Sequence, residues 1–289
     1  MDGPTSRFYT SQRLRLHYVD WGNPDAPPLL LVHGVRDHGR NWDGVARRLR
    51  KDWHILAPDL RVHGDSEWVN AGCYPTENYV YDIAQLIAQQ KLAQLTIIGH
   101  SLGGNVSLRY AGLYPENVRK IIAIEGLSHS PKMLAAQRKI PVDQRLRAWI
   151  DQQRGLAARQ PRRWATLDEA FQRMRDENKH LSEEQALHLT RYGVNPNEDG
   201  TYSWKFDNYL RAFPPVELPN EDATRLWSRV DCPTLLVYGK ESWASNPVLD
   251  GRAAHFRSAE IVTLEGAGHW AHHDQFEAFM AAAEAFLAK

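Results

Sequence analysis

The chain has 289 residues, 35 Lys plus Arg against 35 Asp plus Glu, and 43% hydrophobic residues. A formal net charge of zero removes the electrostatic ground for nucleic acid or an anionic membrane as partner, and no apolar run approaches the ~18 residues of a membrane span. Residues 1–4 carry neither a basic patch nor an apolar segment, and Cys73 and Cys232 are the only cysteines, so the expectation is a cytoplasmic protein with free thiols.

Residues 6–11 and 13–20 read as an antiparallel hairpin, with Leu14, Leu16 and Tyr18 alternating as in a half-buried strand. Short continuous apolar runs at 29–32, 54–57, 95–98, 120–124, 234–238 and 260–264 suit strands buried on both faces. Helical stretches at 41–50, 76–91, 102–113 and 276–287 fall between or after them. This alternation predicts an α/β fold: a mostly parallel eight-stranded sheet with helices on both sides.

Between 127 and 229 the rhythm breaks. The stretch is rich in Arg, Gln, Glu and Trp and reads as amphipathic helices at 142–156, 167–177, 183–192 and 221–230. Asn195-Pro196 and Pro214-Pro215 mark loops within it. The expected organisation is a core of 1–126 and 230–289, with a helical cap of 127–229 inserted after the sixth strand.

The strongest chemical signal is Gly99-His100-Ser101-Leu102-Gly103-Gly104, a G-x-S-x-G pattern between a strand-like run and a helical one. A sharp strand-to-helix turn strains the serine backbone. Gly99 and Gly103 remove side chains that would clash across it, and the following helix directs its positive end at Ser101. Upstream, His33-Gly34 ends a buried strand in a position where the Val35 amide joins the Leu102 amide as an oxyanion hole, each such donor being worth about 3–4 kcal/mol. After the last strand, Gly266-Ala267-Gly268-His269 offers an imidazole on a loop of small residues, suited to take and return a proton near neutral pH. His272 and His273 follow at helical spacing. No carboxylate or cysteine pattern completes a metal site with these three histidines, so they read as a base and two helix-start residues, with no metal or cofactor expected.

In chain order, His33-Gly34, the segment from Asp59 to Ser66, the Ser101 turn and Gly268-His269 resemble the α/β-hydrolase superfamily with a cap domain. The 59–66 segment departs from the family's usual turn by placing Val62 where a glycine is expected, a change of loop shape rather than chemistry. The resemblance implies an acid that orients His269. Its commonest position, three residues after the glycine closing the penultimate strand, is here Ser242. Glu125, at the end of the strand after the nucleophile helix, is the favoured substitute, as in some haloalkane dehalogenases; Glu241 and Asp250 are the alternatives.

A serine rather than an aspartate at the turn points to acyl transfer through an acyl-enzyme. The expected activity is that of a serine hydrolase on small or medium carboxylic esters. Lactones and the C–C bonds of diketones need the same groups, and a ligand-binding protein that keeps the fold without turnover is the reading from another class. Trp243, His100 and Trp204 are the expected substrate contacts. Trp149, Trp164, Phe206, Phe213 and Trp227 divide between pocket lining and packing. The partner is a small ester-like molecule, and the oligomeric state, a homodimer included, stays open.

Overall fold

All six residues of β5 (Leu95–His100) are buried, which places this strand inside the sheet with helices over both faces. In the computed structural model, which describes residues 3–69, 73–212, 215 and 218–289, the sheet runs β1 (Thr5–Ser11), β2 (Leu14–Asp20), β4 (His54–Pro58), β3 (Pro28–Val32), β5, β6 (Val118–Ile124), β9 (Thr234–Gly239), β10 (Ala259–Leu264). The β1–β2 and β2–β4 pairs are antiparallel and the remaining pairs parallel. The hairpin turns through Gln12 and Arg13, both at positive φ.

The apolar runs divide between two layers with the two-residue period of strands. Leu30, Val32 and Ile97 pack with Val80, Ile83 and Leu86 of α2 (Thr76–Gln89) and Val106 of α3 (Leu102–Leu113). Leu29, Leu31 and Ile98 pack on the other side with Val45 and Leu49 of α1 (Asp43–Leu49) and Phe279 and Met280 of α10 (Phe276–Ala288). Each of these leucines contributes about 1.5–3 kcal/mol by leaving water.

The insert after β6 holds α4 (Pro131–Arg138), α5 (Val142–Ala157), α6 (Leu167–Glu177) and α7 (Glu183–Gly193), followed by a small antiparallel hairpin of β7 (Val194–Pro196) and β8 (Tyr202–Trp204). Phe171 of α6 and Ala186 and Leu189 of α7 form its own small core, with Leu181 between the helices. α7 starts on a reciprocal capping box between Ser182 and Gln185.

Two features differ from the sequence reading. Helix α4 was not expected, although Ser130 caps it and Pro131 occupies its first turn; with no buried residue it has no amphipathic period to read. Asn195-Pro196, expected as a loop, belongs to β7, whose three residues are too few to display alternation. The last helix of the 127–229 stretch, α8 (Asn220–Ser228), seats on α3: a Cβ at Gly112 would lie 2.4 Å from the Leu226 carbonyl oxygen, and Trp227 is buried in the same layer as Val106. Phe213, Pro214 and the first two residues of the chain lie outside the described residues.

Val62 has φ 61°, a left-handed conformation that a β-branched side chain tolerates poorly. That is the physical sense of the glycine expected there. The isopropyl group is fully buried beside Leu60, and this burial offsets the backbone strain.

Candidate active site

Ser101 follows β5 directly and has φ 51° and ψ −116°. Its amide donates to the carbonyl of Ile124, the last residue of β6, at 2.8 Å. The turn closes because its glycines have no side chains: a Cβ on Gly103 would stand 2.2 Å from the Val32 carbonyl oxygen, and one on Gly99 2.7 Å from that of Gly103. α3 then runs into the core with Gly103 through Gly112 all buried.

His269 lies on the loop between β10 and α9 (Ala271–Asp274), and its Nε2 is 3.0 Å from Ser101 Oγ. Two contacts hold the loop. The Gly268 amide donates to Asp274 Oδ2 at 2.8 Å, and His100 Nε2 donates to the His269 carbonyl at 2.9 Å. His100 was expected to touch substrate. It lines the cavity at 1% exposure and packs its ring against those of His269 and His272, so it also supports the loop. Burial, then the neighbouring His269, lower its pKa well below the ordinary imidazole value, which keeps it neutral.

Glu125 follows β6, at φ 50°. Its Oε2 meets His269 Nδ1 and also accepts the Ser242 hydroxyl at 2.6 Å, while Oε1 accepts the Gly239 amide at 3.0 Å. The carboxylate is thus buried and spoken for on both oxygens. Glu241 points away, 3.7 Å from His180 Nε2 and largely exposed. Asp250 pairs with Arg252 and Ser245. Sequence reasoning took Ser242 only as a missing acid. Its hydroxyl instead donates to Glu125, and the signal was there in the conjunction of a serine at that position with a glutamate ending β6.

The amides of Val35 and Leu102 donate to no other group among the described residues. Both residues line, with Ser101, Glu125 and His269, a cavity of about 1170 Å³ between the sheet and the insert. Trp243 is 67% exposed, its ring 4.9 Å from that of His269. Trp164, Trp204 and Phe206 also line the cavity, with Trp204 stacked on Phe206. Trp227 packs instead on Phe256, and Trp149 lies off the cavity. His272 and His273 begin α9, and the Nε2 of each donates to Asn41 Oδ1, at 3.1 and 3.0 Å.

A doubly wound sheet, a serine on a strained turn after β5 and an imidazole after β10 define a class, and the sequence comparison agrees with it. The chain matches the alpha/beta hydrolase fold family over residues 27–276 and belongs to it. It is 26% identical over 261 residues to a serine hydrolase-like protein of Danio rerio, a match covering 86% of this chain and 78% of that one. It is also 26% identical over 264 residues to the esterase YbfF of Escherichia coli K12, covering 90% and 92%. Among solved structures it superposes on hypothetical protein PA1622 of Pseudomonas aeruginosa PAO1 with a TM-score of 0.84 at 25% identity, covering 98% and 99%. No helix among the described residues is long and apolar enough to cross a membrane.

Proposed function

We propose that the chain is a serine hydrolase of carboxylic esters, working through an acyl-enzyme. The observation that carries this reading is the continuous line from Ser101 Oγ to His269 Nε2, 3.0 Å apart, and from His269 Nδ1 to the Glu125 carboxylate. Ser101 attacks the ester carbonyl while His269 takes its proton. Glu125 holds the Nδ1–H tautomer and stabilises the imidazolium that forms. The Val35 and Leu102 amides receive the tetrahedral oxyanion. His269 returns the proton to the departing alcohol, and water then repeats the sequence on the acyl-enzyme to release the acid.

The insert forms the far wall of the site and acts as a cap over it, with Trp204 and Trp243 as substrate contacts. The cavity has room for a medium-sized ester. A non-catalytic binding role draws its motive from Ser242 at the usual acid position, and the contact of Glu125 with His269 weighs against it. The test is labelling with a fluorophosphonate together with hydrolysis of p-nitrophenyl esters. Covalent labelling at Ser101 and ester turnover are expected; folded protein that shows neither refutes the proposal.

A further inference from the structure

The cavity wall is more basic than the chain around it. Nine Lys and Arg residues line it against four carboxylates, in a protein whose two signs balance over the whole chain. Five of the nine are matched by partners: Arg109 by Glu77, Arg163 by Asp199, Arg173 by Glu177, Lys205 by Asp65 and Arg252 by Asp250. The other four, Arg36, Arg162, Lys179 and Arg211, have no carboxylate in ion-pair range among the described residues. Nor are the lining carboxylates spare. Glu125 is on His269, Asp274 on the Gly268 amide, Glu177 on Arg173, and Asp37 is turned inward onto Asn41.

Arg36 and Arg211 are the pair of interest. Arg36 immediately follows Val35, whose amide faces the reacting carbonyl in the mechanism above, and it is held at φ 61°. A non-glycine residue fixed in that region often marks a ligand clamp. Arg211 ends the short helix Asn208–Arg211 and lines the same cavity. Partial desolvation, then the charge of Arg211, lower the Arg36 pKa, while Glu177, already ion-paired with Arg173, only partly opposes them.

We infer that the cavity takes esters whose chain carries a carboxylate or phosphate, held between Arg36 and Arg211 while the carbonyl lies at Ser101. This rests on the serine-hydrolase reading and narrows its substrate class. A guanidinium presents paired N–H donors that match either oxyanion, and two of them fix both its place and its charge.

The test compares p-nitrophenyl hexanoate with two esters of the same chain length, the mono-p-nitrophenyl ester of adipic acid and an ω-phosphorylated hexanoate. The wild-type kcat/KM is expected to favour at least one anionic ester by about tenfold or more, and the larger gain identifies the anion. The ratio of anionic to neutral kcat/KM should fall toward one in Arg36→Gln and in Arg211→Gln, and with rising salt. Using the ratio removes any general effect of Arg36→Gln on the neighbouring Val35 loop, and Arg211→Gln lies outside that loop. A wild-type ratio near one, or a ratio unchanged in both variants, overturns the anion assignment and leaves the serine hydrolase standing. Absence of turnover on all three esters overturns the hydrolase reading and this inference with it.

Discussion

Glu125 and His269 are 144 positions apart in the chain, and the carboxylate of one meets Nδ1 of the other. The contact is made because β6 ends at the same sheet edge over which the β10 loop folds back. If Glu125 orients the imidazole, Glu125→Gln lowers kcat on an activated ester by on the order of 10³-fold. The amide cannot stabilise the imidazolium and favours the wrong tautomer. Glu241→Gln, at a side chain directed to His180, stays within about twofold of wild type. Steady-state kinetics on the two variants decides the assignment, and equal losses would contradict it.

On the proposed mechanism, Ser101→Ala removes the nucleophile with no substitute nearby. Turnover is expected to fall by about 10³-fold or more, with the thermal unfolding temperature close to that of wild type because the hydroxyl makes no packing contact that the core needs. Near-wild-type turnover in this variant is incompatible with an acyl-enzyme at Ser101.

Ser242→Ala tests the hydroxyl that shares Glu125 Oε2 with His269. The lost hydrogen bond goes to a charged acceptor and is worth about 1.5–3 kcal/mol. Part of that reaches the transition state, so kcat falls by roughly three- to thirtyfold, less than for Glu125→Gln. In Glu125→Gln the second substitution adds little, because the two act through one carboxylate. A double variant whose losses simply multiply would show that Ser242 works by another route.

Gly103→Ala places a methyl carbon 2.2 Å from the Val32 carbonyl oxygen and 2.5 Å from that of His33. Both obstacles are backbone of the strand that leads to the Val35 amide. The expected cost is about 3 kcal/mol or more, seen as a fall of several degrees in unfolding temperature, with loss of ester turnover in whatever protein remains folded. A stable, active Gly103→Ala protein would mean that the turn is looser than its geometry.

Acid is expected to destabilise the fold. Burial lowers the pKa of His33 to about 4 and of His63 and His273 to about 3. Their neutral forms are built in: His33 Nε2 accepts the Leu60 amide while its Nδ1 donates to the Gly34 carbonyl. Between pH 6.5 and pH 4 the unfolded chain therefore binds protons that the folded chain refuses. Stability present above pH 6.5 is lost as the pH falls, by about 2 kcal/mol per histidine at pH 5. Asp37 acts in the opposite sense. Burial raises its pKa to about 7, so it destabilises the fold at neutral pH and recovers as acid is added, offsetting about one of the three histidines. Denaturant midpoints at pH 7.5 and pH 5.0 should show a net loss at the lower pH, and His63→Gln should flatten the dependence. A protein equally stable at both values contradicts the neutral histidine burial.

The sheet was readable because its strands are covered on both faces. Leu29 to Val32 and Leu95 to Ile98 carry that requirement as unbroken apolar runs. The Ser101 turn was readable because steric crowding forces small residues to fixed positions beside it. What escaped lacks either constraint. α4 buries nothing, β7 and β8 are three residues each, and Arg36 and Arg211, which line one cavity, lie far apart in the chain with no period between them. His100 lines the cavity as expected of a substrate contact, and its place in the motif does not reveal that its ring also holds the His269 loop.

The Ser101 amide bonds to the carbonyl just before Glu125, so the two residues hang from adjacent rungs of one ladder. Their separation is set by sheet register, as stiff as the strands themselves, and owes little to any connecting loop. The turn after β9 keeps the Ser242 hydroxyl on Glu125 and the Gly239 amide beneath it, and is otherwise released from carrying an acid. For protein engineering, that makes Trp243, 67% exposed and lining the cavity, a position open to change, whereas Ser245 and Asp250 must stay as the partners of the buried Arg252. New side chains placed there would retune what enters while the spacing of Ser101 and Glu125 beneath keeps its dimensions.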